Sequence, residues 1–94
     1  MVTKIAKATV DTALDAWDAA RERAARECAA WDLLLKSQKT LIDSLRKNGH
    51  AFSQAQQEFS AMSEGHHEAY LAALIDENRK RAEYREIATR FNSQ

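Results

Sequence analysis

The sequence has no proline, only two glycines and a single cysteine, and its 14 Lys and Arg are matched by 14 Asp and Glu. Without proline nothing forbids long helices, and two glycines leave few places where the chain can turn sharply. A lone cysteine cannot close an internal disulfide, so the fold is expected to stand without covalent staples, in a reducing, cytoplasmic compartment. Zero formal net charge removes the surplus of Lys and Arg on which sequence-independent binding to nucleic acid or an anionic membrane depends. No apolar run approaches the roughly 18 residues needed to cross a bilayer. Residues 1–10 carry two lysines but not the continuous apolar stretch of a signal peptide, so membrane insertion is not expected.

What the chain does have is helix. Eighteen of its 94 residues are alanine, and Glu, Lys, Arg, Gln and Leu supply much of the rest, a strong summed helix preference over almost any window. The best breaking point is Arg46-Lys47-Asn48-Gly49-His50, where basic residues suited to a helix C-terminus precede the pair best able to adopt a left-handed conformation. Ser53 and Gln56 then have the spacing of a capping box, with Phe52 as half of a hydrophobic staple. The expectation is an all-α single domain built as an antiparallel two-helix hairpin: helix 1 over about residues 3–47, a turn at 48–50 and helix 2 over about 51–91. Gly65, with Ser63 as a possible cap, offers a second break and a three-helix alternative.

At 100° per residue, Val10, Leu14, Trp17, Ala24, Cys28, Trp31, Leu35, Gln38, Ile42 and Leu45 gather on one side of helix 1, broken at Arg21. On helix 2, Phe52, Ala55, Phe59, Met62, His66, Tyr70, Ala73, Tyr84, Ala88 and Phe91 do the same, broken at Glu77 and Arg81. With the turn centred between Asn48 and Gly49, residues facing across the hairpin have numbers summing to about 97. That register sets Arg21 opposite Asp76 and Glu77 as a pairing device. Coarser charge agrees, since residues 36–47 are basic while 51–78 hold five acids and neither Lys nor Arg.

The stretches Trp31–Leu35 and Ala69–Ile75 are apolar nearly all round, more than a hairpin can bury against itself. Two helices also make a thin core for a domain of this size. Association through Leu33, Leu34, Leu41, Leu71, Leu74 and Ile75 is therefore expected, either of the chain with itself, as a dimeric four-helix bundle or coiled-coil assembly, or with a helical protein partner.

Chemistry-bearing constellations are sparse. Trp17, Cys28 and Trp31 lie on the core stripe and read as packing, and there is no phosphate-binding glycine loop, Ser-His-Asp set or Cys-x-x-Cys. No enzymatic activity and no cofactor are expected. Glu64-Gly65-His66-His67 contains Glu-x-x-His, a spacing that points two metal ligands the same way. Glu64 and His67 project toward Leu71 and Ile75, and in this respect the segment resembles the encapsulated ferritin family, in which a short two-helix chain dimerises to assemble its iron site. The resemblance implies an inter-subunit metal site at Glu64 and His67. That family's further ligand, a Glu on the first helix, has no counterpart that spacing identifies here. His66 is placed at the core edge near Trp31. Arg79-Lys80-Arg81 with Arg85 and Arg90 is similar to the basic face that small plasmid copy-control hairpin dimers present to RNA, although Glu77, Glu83 and Glu86 interleave as salt-bridging neighbours. The leading reading is a non-enzymatic helical interaction protein such as an assembly subunit, adaptor or small chaperone-like partner. A metal-binding ferritin-like oligomer and an RNA-binding hairpin dimer are the alternatives.

Overall fold

A computed structural model describes residues 4–94 and shows three α-helices: α1 (Lys7–Lys36), α2 (Gln38–Lys47) and α3 (Phe52–Asn92). No strand occurs among the described residues, as the alanine-rich, proline-free composition requires. The expected start of the first helix at residue 3 lies outside the described residues.

The single first helix expected from the sequence is divided at Ser37. There the hydroxyl donates to the Leu33 carbonyl at 2.8 Å, while the Ser37 N–H is shared between the carbonyls of Leu33 and Leu34. Serine competes for helix carbonyls in this way and loosens the ladder without any help from glycine or proline. Gly65, the break considered from sequence, lies inside an uninterrupted α3.

The α2–α3 turn is built by two hydrogen bonds. The His50 N–H donates to Leu45 and the Gly49 N–H to Arg46, each at 3.1 Å, which together form a Schellman closure. Gly49 takes φ +95, and no other described residue has a positive φ. Asn48 stays at φ −87, so the glycine alone supplies the left-handed step. The start of α3 differs from the Ser53–Gln56 box. Gln54 reaches back to accept from the Ala51 N–H at 3.1 Å, which puts the reciprocal half of a capping box two residues earlier, on Ala51 and Gln54. Phe52 is no staple; it is 51% exposed, with the Arg46 guanidinium 5.5 Å from its ring centre.

The chain divides into two compact units. The first comprises Met1–Ala25 and Ala72–Gln94, and its two helical segments run antiparallel. Trp17 stacks on Tyr84 with ring centres 5.5 Å apart, and the Gln94 side chain bonds both backbone groups of Ile5 at 2.7 and 2.8 Å. Its buried side chains among the described residues are Ala20, Ala24 and Ala73, small enough to let the helices approach closely. The second unit, Arg26–Leu71, buries Ile42, Ala55 and Phe59, with Leu34, Leu41 and Leu45 packed against them.

Several residues expected in the core are not there. Leu35, Phe52 and Met62 are exposed at 41, 51 and 40%, and His66 is exposed as well. For helix 1 the change falls at the division between α1 and α2. The expected stripe assumed one continuous helix through Leu35 and Gln38, and the ladder is interrupted at Ser37 between them. Around that division Leu34, Leu41 and Leu45 take the inward positions beside Ile42.

Candidate functional site

The residues expected to associate separate into two groups. Leu33, Leu71 and Ile75 are open to solvent at 66, 45 and 68% exposure. Leu34 and Leu41 belong instead to the packing around Ile42, Ala55 and Phe59, and Leu74 is half-buried. Helical position explains the difference on α3. Leu71 and Ile75 are one turn apart and point away from Ala73, which is fully buried.

Arg21 does not pair with Asp76 or Glu77. Its guanidinium pairs with Asp18 one turn away on its own helix and lies 5.1 Å from the centre of the Trp17 ring. Asp76 accepts from Arg79 at 2.9 Å, and Glu77 accepts from the Trp17 indole Nε1 at 2.9 Å. Neighbours three residues apart on one helix need no fixed cross-helix register to meet, and a half-buried indole N–H requires an acceptor. The hydrogen bond from Arg79 holds the Asp76 carboxyl below the usual aspartate range, against the opposing effect of partial burial.

An aromatic cluster lies in the second unit. Trp31 has the His67 ring 4.6 Å away and the Tyr70 ring 5.9 Å away. His67, not His66, is thus the imidazole beside Trp31. Cys28 beside the Tyr70 hydroxyl raises that hydroxyl above the ordinary tyrosine value. The Trp31 Nε1 is buried and has no acceptor among the described residues. Sequence reasoning placed Trp17, Cys28 and Trp31 on the core stripe but did not join the last two to His67 and Tyr70. The register sum of about 97 that aligned the charges was the signal available, since Cys28 with Tyr70 and Trp31 with His67 nearly satisfy it.

A second cluster, at the turn, carried no sequence signal. The Nδ1 of His50 lies 3.0 Å from the Leu45 carbonyl and its Nε2 lies 3.2 Å from Glu58. Both partners are acceptors, so only the doubly protonated ring donates on both sides. The open groove beside this pair, about 510 Å³, is lined by Asn48, Gly49, His50, Gln54, Gln57, Glu58 and Ala61. No hydroxyl or thiol stands among these lining side chains.

Glu64 and His67 are both exposed, with the His67 ring turned to Trp31. Among the described residues no group of three or more His, Cys, Asp or Glu side chains converges as a metal site would need. Among the described residues no helix is long and apolar enough to cross a membrane. No protein-family model, curated protein or solved structure matches the chain.

Proposed function

We propose that this chain is a non-enzymatic helical interaction protein, an antiparallel hairpin that works by associating with itself through its exposed apolar helix faces. The observation that carries the reading is the contrast between what is buried and what is not. Among the described residues four of the six buried hydrophobic side chains are alanine, whereas Leu33, Leu71 and Ile75 are 45–68% exposed. Each such side chain contributes about 1.5–3 kcal/mol when covered, so leaving all three in water forgoes more than the alanines supply.

Sedimentation at micromolar concentration tests this. Wild-type protein is expected to run above 10.6 kDa, and Leu71→Glu with Ile75→Glu is expected to return it to the monomer with its helix content kept. A folded wild-type monomer at that concentration would overturn self-association. The metal-binding alternative, through Glu64 and His67, requires iron or zinc retained on purification. The RNA-binding alternative requires nucleic-acid affinity that falls steeply with salt.

A further inference from the structure

Resting on the self-association reading above, we infer that α3 pairs antiparallel with α3 of a second copy of this chain, about a twofold axis crossing the helix at the level of Ala73. The inference begins with periodicity. Alternating steps of four and three residues from Gln57 to Thr89 pass through Ala61, Glu64, Glu68, Leu71, Ile75 and Ala82, and every position so reached is exposed. This is a heptad seam on the side of α3 away from the buried Ala73, with its largest apolar residues in the middle.

The seam is symmetric about residue 73. Leu71 and Ile75 lie two residues to either side, Glu68 and Asn78 five, Glu64 and Ala82 nine. An isologous contact requires that when one residue meets another, the reverse contact is also made. A seam with this symmetry satisfies that condition when the two helices run antiparallel, and Leu71 then meets Ile75 of the second copy twice.

Charge selects the direction. Between Phe52 and Leu71, α3 carries Glu58, Glu64 and Glu68 and neither Lys nor Arg, while Asn78–Asn92 carries five Lys or Arg against two Glu. Parallel pairing would set acid on acid and base on base. Antiparallel pairing lays the acidic half of each copy along the basic half of the other, twice. The flanking groups are available for this, because Glu64, Glu68 and Arg85 make no ion pair among the described residues. Flanking charges of this kind fix partner choice and orientation, while the apolar centre holds the pair together.

Charge reversal in complementary pairs provides the test. Glu64→Lys with Glu68→Lys makes the seam basic throughout, and Arg79→Glu with Arg85→Glu makes it acidic. Wild-type protein should dimerise with a dissociation constant that rises with salt. Each reversed variant alone should associate about tenfold or more weakly. An equimolar mixture of the two should regain wild-type association, with the mixed dimer visible by native mass spectrometry. A chain carrying all four reversals should regain it alone, which separates lost pairing from lost folding. Reversed variants as dimeric as wild type, or a mixture and fourfold variant that fail to recover, would overturn the α3 pairing and leave self-association standing. A monomeric wild type would overturn both.

Discussion

Gly49 takes φ +95, where an L side chain is strained, whereas Gly65 lies within α3 with open space around the position a Cβ would occupy. The two glycines therefore predict opposite outcomes for one substitution. Gly49→Ala should destabilise by about 1–2 kcal/mol through backbone strain alone, since nothing obstructs the added methyl. Gly65→Ala should stabilise by about 0.5–1 kcal/mol because it removes unfolded-state freedom from a helix interior. Denaturant titration of both variants reads the signs directly. Asp76 gives a pH prediction at the same scale. Its folded carboxyl is held below the ordinary aspartate range, chiefly by the hydrogen bond from Arg79. The stability it contributes is therefore present above that range and is lost as pH falls through the depressed folded value. NMR titration of Asp76 should show the low midpoint, and Arg79→Ala should move it upward. Nothing in the sequence distinguished Arg79 from Arg21 as the partner, because a carboxylate on a helix has cationic neighbours both along its own helix and across the seam.

Among the elements, helical character was legible from the missing proline and the abundance of alanine, and the Asn48-Gly49 pair marks the turn where Gly49 takes its positive φ. The division at Ser37 was not legible, because it comes from one hydroxyl bonding a carbonyl four residues back and not from a helix-breaking residue. Ser37→Ala removes that competition and substitutes a better helix former. It is expected to raise stability by about 0.5 kcal/mol and to slow amide exchange around Leu34–Leu41. Exchange that is unchanged at those amides would show that the hydroxyl does not loosen the ladder. Core positions were legible at Ala24, Ile42, Ala55, Phe59 and Ala73 and failed at Leu35, beside the division at Ser37. Of the expected interface, the exposed Leu33, Leu71 and Ile75 followed from apolar surplus alone. Leu34 and Leu41 did not, because which side of an all-apolar stretch faces inward is decided by the partner helix.

At the scale of the whole molecule, each compact unit contains one tryptophan. Trp17 lies in the first, stacked on Tyr84 and donating to Glu77, and Trp31 lies in the second, against His67 and Tyr70. The chain thus carries a separate intrinsic fluorophore for each unit, with no label needed. Trp17→Phe leaves emission from the second unit only, and Trp31→Phe leaves emission from the first. α1 and α3 are each one continuous helix, and helix melting is cooperative along a helix. The two variants are accordingly expected to show emission changes that coincide with loss of helical circular dichroism in the same protein. An emission change that precedes the loss of helix in one variant and follows it in the other would mean that the units melt in sequence. The placement of two indoles thereby makes cooperativity along the chain readable from ordinary spectra.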